Sequence, residues 1–482
     1  MPDTAQTAPR PAPSPELLAK IRDIVGPRGV VTEPAERAPY LTEWRNRFDG
    51  DTPMVVLPAS TEEVAAVVAA CAAERAAITP QGGNTGLVGG QIPFGGEILI
   101  SLKRMNRILD VSPLDNTMTV EAGVVLQTAQ QAAADIDRLF PLSLGAEGTA
   151  VIGGVISTNA GGVNVLRYGN MRDLVLGLEV VLADGRVWNG LRRLRKDNTG
   201  YDLKHLFIGA EGTLGIVTKA VLKLFPAPKD RVTAFIGMER PEQAVELLSL
   251  MQGATGGMVS GFELISARAL SFVLKHIPNT RNPLAGAHPW HILFEATAGR
   301  DAGLREIAET ALGEAIEKSL ASDAAIAENA RQADDFWRIR HSIAEAQRPE
   351  GSEVKHDVSV PVAAIPAFLE RADAAVEAAC PGIRVVAFGH LGDGNIHYDL
   401  AQPTGGDRDA FIAQREELSR IVHDIAAEFS GSISAEHGLG RLKASEILHY
   451  KDETEMDLMR RVKTALDPDN IMNPGKVLAP SP

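Results

Sequence analysis

The chain has little cysteine, little aromatic content and no long apolar run. Only Cys71 and Cys380 occur in 482 residues, and neither belongs to a Cys-x-x-Cys pair. That excludes a disulfide framework and points to a reducing, cytoplasmic setting. No apolar run approaches the roughly 18 residues of a membrane-spanning helix, so no transmembrane segment is expected. Positive charge is also short: 48 Lys and Arg stand against 62 Asp and Glu, a net charge of −14. Such a balance argues against a nucleic-acid partner but leaves room for a local basic pocket around an anionic substrate. Two nucleotide fingerprints are missing, the G-x-x-x-x-G-K-[ST] loop and the GxGxxG turn of NAD-binding folds. Residues 1–15 are rich in Pro and Ala without the apolar centre of a secretion signal, and read as a disordered tail.

What remains is ordinary for a soluble globular protein, 45% hydrophobic and 23% charged, long enough for two or three domains. Residues 15–26 predict a short amphipathic helix closed by Gly26. Residues 54–57 predict a buried strand. Ser60 then caps a helix to about Arg75, with Glu63 completing a capping box. Residues 77–80 predict a second strand, making a strand–helix–strand unit that delivers the chain to a glycine-rich loop. That loop, residues 82–90, holds five glycines in nine residues. Glycine allows close approach of backbone N–H groups to an anion, and a pyrophosphate is the natural occupant. A second glycine-rich stretch covers residues 144–162. A hairpin around Asp184-Gly185 follows. A third stretch, residues 196–203 and 209–217, leads into a strand over residues 215–224. Beyond residue 229, strands (232–238, 292–296) alternate with helices (242–251, 301–317), which predicts an antiparallel α+β layer. A long helix over residues 334–348 carries Trp337, Arg338 and Arg340, and a strand over residues 353–360 carries Lys355. The last segment, residues 431–477, is expected to form two short helices.

Residues 389–397 read Gly-His-Leu-Gly-Asp-Gly-Asn-Ile-His. Asp393-Gly394 suits a two-residue type I′ turn. Folding there would set His390 directly opposite His397, β-carbons roughly 4.5–5.5 Å apart. Two imidazoles so placed can share a metal ion. Glu436, within Ser-Ala-Glu-His-Gly, offers a third ligand, and two His with one carboxylate leave open positions for a substrate. Asp393 and Asn395 read as turn formers.

The three glycine-rich stretches together resemble the flavin-binding domain of the vanillyl-alcohol oxidase superfamily. Within it, the chain is similar to the D-2-hydroxy-acid dehydrogenases (D-lactate, glycolate-type and D-2-hydroxyglutarate enzymes) over about residues 53–476. The resemblance implies an α+β fold: a two-subdomain FAD-binding domain over residues 16–228, and an α+β cap with an antiparallel sheet over residues 229–425. A C-terminal segment over residues 426–482 would return to the flavin. It also implies FAD contacts from Pro80, Gly82, Gly83, Asn84, Thr85, Gly86, Gly148, Thr149, Gly153, Thr158, Asn159, Gly212, Ile216 and Asn473. Relatives with covalent flavin carry a His in the first loop; Asn84 stands there in this chain, so non-covalent FAD is expected.

The implied chemistry is oxidation of a D-2-hydroxy acid (D-2-hydroxyglutarate, D-lactate or D-malate) to the 2-oxo acid. A divalent metal, zinc first and manganese second, would sit on His390, His397 and Glu436 and act as a Lewis acid. His437 would take the hydroxyl proton and touch substrate. Arg340 and Lys355 match positions that grip a carboxylate. Two positions depart from the D-2-hydroxyglutarate pattern. Ala344 replaces a hydroxyl side chain, and Asp399 replaces an Asn, where it would repel a distal carboxylate unless paired. With no NAD fingerprint, an electron-accepting protein or quinone carrier is the expected partner, with a homodimer left open. The alternatives are a flavin subunit of a larger electron-transfer complex and an oxygen-using oxidase.

Overall fold

The computed structural model describes residues 12–479. Most of the expected N-terminal tail, residues 1–11, lies outside the described residues. The chain divides into two compact units. The first holds residues up to Gly161, Asn170–Pro226 and the chain from Glu436 onward. The second holds Gly162–Gly169 and Ala227–Ala435.

The first unit opens with the helix Pro15–Val25, capped by Ser14 Oγ, which accepts from Leu17 N at 3.0 Å. Leu17, Ile21 and Val25 recur at four-residue spacing and are buried in one core with Val64, Val67 and Val68 of the helix Thr61–Glu74. Ser60 caps that second helix by accepting from Glu63 N at 3.3 Å. The return bond goes one residue earlier than a capping box requires, from Ala59 N to Glu63 Oε2 at 2.8 Å.

A four-stranded sheet follows the order Val30–Val31, Val55–Val56, Ile98–Ser101, Ile78–Gln81. The expected strand–helix–strand unit forms, but its strands are not neighbours. Ile98–Ser101, buried at every position, inserts between them and runs parallel to both. A strand apolar on both faces takes the centre, where neither face meets water.

A five-stranded antiparallel sheet completes this unit, in the order Ile108–Ser112, Thr117–Glu121, Ile216–Lys223, Val175–Val181, Val187–Gly190. Its last hairpin turns at Asp184-Gly185 as expected, with Val181 opposite Val187 and Gly185 at φ 83°. The C-terminal segment differs from expectation. It forms a 3₁₀ turn, Glu446–His449, and a full helix, Glu453–Leu466, capped by Asp452. Beyond it the chain lies beside the strand Ile78–Gln81: Ile78 N donates to Ile471 O at 2.8 Å, and Asn473 N donates to Ile78 O at 2.7 Å.

The second unit is built on an antiparallel sheet ordered Asp323–Ile326, Asp230–Met238, Trp290–Ala298, Val259–Ser266, Arg384–His390, Asn395–Ala401, Glu353–Val354. A short strand, Asp357–Ser359, also pairs with Asn395–Ala401. Alternation divides its side chains between two cores. Ile236, Phe262, Leu264, Phe294 and Leu400 pack with the helices Pro241–Ala254, Leu304–Glu317, Ile365–Ala379 and Arg415–Glu428. Phe235, Ile265, Leu293, Val386, Phe388 and Ala401 pack with Ala267–His276, Ala330–His341 and Ile343–Ala346. By parity, Glu263, His390, His397 and Asp399 belong to this second face. The expected long helix is broken at Ser342, and the expected strand is broken at Lys355 and His356.

Candidate active site

The three glycine-rich stretches meet within the first unit. A β-carbon on Gly83 would lie 2.1 Å from Thr149 O, and one on Gly212 only 2.4 Å from Pro80 Cγ. Gly212 also has φ 72°, so a side chain there would be strained as well as crowded. Gly83 thus lets the first loop press against the second stretch, and Gly212 lets the third press against the strand that leads into that loop. Pro80 lies on the strand Ile78–Gln81 that leads into that loop, and Ile216 begins the strand leaving the third stretch. Gly153, Thr158 and Asn159 lie on or just after the helix Ile152–Ser157. Gly148 and Thr149 sit in the turn before it.

Among the described residues, the backbone N–H groups of Gly83, Asn84, Thr85 and Gly86 donate to no protein acceptor. A row of uncommitted N–H groups is the donor set that a pyrophosphate requires. The Asn84 side chain has other work: Nδ2 donates to Pro39 O and Thr42 O at 3.1 and 3.0 Å, and Oδ1 accepts from Gln91 at 3.2 Å. Asn473 Nδ2 donates to Gly90 O and Glu211 O at 2.9 and 2.8 Å, linking the first loop to the third stretch. Its Oδ1 is buried with no hydrogen-bond partner, an acceptor suited to a ring N–H. The cradle and its unused polar atoms fit FAD.

Glu436 and His437 lead into a loop of this unit that is fastened by Glu211. The Glu211 carboxylate accepts from Leu439 N at 2.8 Å and Gly440 N at 2.9 Å. Burial pushes its pKa up to about 7; the two N–H bonds and Lys443 only moderate the rise. Glu436 Oε1 and His437 Nε2 are 3.8 Å apart.

The second unit carries the histidine pair, with a register unlike the expected one. His397 stands opposite Phe388, not His390. Among the described residues Gly394 takes positive φ (88°) but Asp393 does not, so the turn is not type I′. Instead residues 391–393 form a 3₁₀ turn, and Asp393 Oδ1 accepts from Asn395 N at 3.2 Å. The shift is two residues, and a shift of two leaves every side chain on its original face. The two imidazoles remain neighbours on a diagonal, ring centroids 5.5 Å apart.

Carboxylates flank both rings. His390 Nδ1 lies 2.8 Å from Oε1 of Glu263, its cross-strand neighbour. His397 Nδ1 lies 3.8 Å from Asp357 Oδ1. Asn395 is more than a turn former: it is buried, and Nδ2 donates to Asp357 Oδ1 at 2.9 Å and Val358 O at 3.0 Å. Ala435 N donates to Asp357 O at 3.1 Å, and Glu436 is the next residue along the chain. Two imidazoles beside carboxylates have the donor chemistry of a divalent-metal site.

Arg340 and Lys355 share this unit, and both are engaged. Arg340 Nε donates to Glu263 Oε2 at 2.7 Å, and its guanidinium lies 4.9 Å from the centre of the Phe388 ring. Lys355 Nζ lies 3.3 Å from Asp399 Oδ2 and 3.1 Å from Glu353 Oε2. Burial alone would raise the Asp399 pKa, but Lys355, His397 and the Gln347 amide together carry it below the usual range. Asp399 is thus ionised and paired, which answers the expected repulsion. Trp337 Nε1 donates to Glu295 Oε2 at 2.8 Å, whereas Arg338 reaches Pro278 O on an exposed edge.

Glu211, Glu263 and Asp357 escaped the sequence reading. Glu263 left one trace, a lone carboxylate inside the otherwise uncharged buried strand Val259–Ser266. A buried charge in such a run demands a partner.

An FAD-binding region followed by an antiparallel cap defines a flavin-dependent oxidoreductase. Residues 52–190 match the family described as FAD binding domain, and residues 227–477 match FAD linked oxidases, C-terminal domain. The chain is 38% identical over 461 residues to a mitochondrial D-2-hydroxyglutarate dehydrogenase of Arabidopsis thaliana, covering 96% of this chain and 81% of that protein. It is 37% identical over 446 residues to the D-2-hydroxyglutarate dehydrogenase of Xanthomonas citri pv. viticola, covering 92% and 93%. The fold also matches p-cresol methylhydroxylase with substrate bound, at TM-score 0.75 and 16% identity over 96% of each chain. The chain belongs to the FAD-dependent D-2-hydroxyglutarate dehydrogenase family of FAD linked oxidases. Among the described residues, no helix is long and apolar enough to cross a membrane.

Proposed function

We propose that this enzyme oxidises D-2-hydroxyglutarate to the 2-oxo acid with non-covalent FAD and a divalent metal held by His390, His397 and Glu436. D-lactate and D-malate are the alternative substrates. The observation that carries this reading is the shared sheet face of His390, His397 and Asp399, with Arg340 and Lys355 joined to it through Glu263 and Asp399. The family membership and the relatives named above support the same substrate.

Residues 82–86, 148–149, 153, 158–159, 212, 216 and 473, with Pro80, would hold FAD. When bound, FAD supplies two-electron acceptance for the hydrogen on the hydroxyl-bearing carbon. A bound zinc or manganese ion supplies Lewis acidity toward the hydroxyl oxygen.

Arg340 offers its terminal nitrogens to a substrate carboxylate, because only Nε is given to Glu263. Lys355 offers a point charge toward the far carboxylate. Both cations already face carboxylates, so their net field is weak. His437 accepts the hydroxyl proton at a ring nitrogen, held in place by the loop that Glu211 fastens. Electrons leave for a protein or quinone carrier.

The test is anaerobic. Purified protein is mixed with D- and L-2-hydroxy acids before and after chelation, and the visible flavin absorbance is followed. D-2-hydroxyglutarate should bleach it, the L-isomer should not, and chelation should stop the bleaching. Absorbance unmoved by every D-2-hydroxy acid overturns the proposal.

A further inference from the structure

We infer that Glu263 is a positioning residue that sets one metal histidine and the substrate arginine at once. The inference rests on the reading of His390 as a metal ligand and of Arg340 as a carboxylate grip.

Glu263 is 1% exposed in the middle of an apolar strand. Its cross-strand partner in the sheet is His390. One carboxylate oxygen faces His390 Nδ1 at 2.8 Å, and the other accepts from Arg340 Nε at 2.7 Å. Arg340 comes from the helix Ala330–His341, across 77 residues of sequence, and packs over Phe388, two residues before His390 on the same strand. The three groups therefore form one rigid unit with no exposed member.

The chemistry follows from which atoms are committed. A carboxylate beside Nδ1 selects the tautomer that carries its proton there, and the Nε2 lone pair is then the one available to a cation. The same carboxylate takes the side nitrogen of Arg340, so the two terminal nitrogens keep the paired geometry that a carboxylate needs. In Glu263→Gln the amide offers one acceptor for two donors. Its NH₂ group can also donate to Nδ1, which moves the imidazole proton to Nε2 and blocks the ligand atom. A buried ion pair kept only for packing would not couple metal affinity to the Arg340 site.

The test uses full-length apo protein, Zn²⁺ alone and a competing chelator dye, with wild type, Glu263→Gln and His390→Ala in parallel. His390→Ala should lose tight Zn²⁺ binding. Glu263→Gln should bind Zn²⁺ roughly 10–100-fold more weakly, and after loading with excess Zn²⁺ should show a raised KM for D-2-hydroxyglutarate. Wild-type affinity in Glu263→Gln, with His390→Ala defective, overturns this inference and leaves the metal reading standing. Wild-type affinity in His390→Ala overturns the metal reading and the inference with it. If Glu263→Gln does not fold, ¹⁵N-histidine-labelled wild type decides. Zn²⁺ on His390 Nε2 with a proton kept on Nδ1 is expected, and Zn²⁺ on Nδ1 overturns the inference.

Discussion

Glu211 Oε2 accepts a hydrogen bond from Gly440 N at 2.9 Å, while Oε1 takes Leu439 N at 2.8 Å. A buried carboxylate thus fastens the loop that follows Glu436 and His437. Its pKa is raised from 4.5 to about 7 in the folded protein. Between those values the folded state holds a proton that the unfolded state has released. Folding is therefore favoured below pH 4.5 and loses stability as pH rises toward 7. Over that window, wild type should lose roughly 3 kcal/mol relative to Glu211→Gln, which cannot titrate there. Urea unfolding of both proteins from pH 4.5 to 8 measures the difference; a flat difference would mean that Glu211 keeps an ordinary pKa.

The Lys355–Asp399 pair predicts a change in substrate preference. Asp399 draws charge from Lys355 that a second substrate carboxylate would otherwise receive. Asp399→Asn should lower KM for D-2-hydroxyglutarate by roughly fivefold, about 1 kcal/mol, and leave KM for D-lactate nearly unchanged. Steady-state kinetics on both acids separates this from a general effect; equal shifts on the two would place Lys355 away from the distal carboxylate.

The first glycine loop predicts how the flavin is held. A methyl on Gly83 would meet Thr149 O at 2.1 Å, so Gly83→Ala must push the first and second stretches apart. The variant should purify with less than about a tenth of the wild-type flavin, a loss of roughly 1.4 kcal/mol or more in cofactor binding. In wild type, acid precipitation should leave all the yellow colour in the supernatant. Colour retained in the pellet would show a covalent bond.

Local signals were the legible ones. Ser60 announces its helix because a hydroxyl placed before an apolar run has few better uses than capping. Asp184-Gly185 marks its hairpin because positive φ favours glycine. The His390–His397 pairing was read with the wrong turn and register, yet the face was right, because a strand repeats every two residues. Glu263 was illegible for the opposite reason. Its partners stand 77 and 127 residues away, joined by strand order and helix packing that no local pattern encodes. The insertion of Ile98–Ser101 between two strands was hidden in the same way.

The role given to His437 makes the last prediction. An imidazole takes a proton only when neutral, so turnover should fall toward acid pH. His437→Gln keeps a polar side chain of similar reach but cannot accept the proton. Its kcat should fall roughly 10²–10⁴-fold, with flavin and metal content unchanged, and the acidic limb of the rate profile should disappear. Because Glu211 fastens the same loop, Glu211→Ala should lower kcat while keeping that limb: the base is displaced but still present. A His437→Gln enzyme that keeps both its rate and its acidic limb would move the base to another residue.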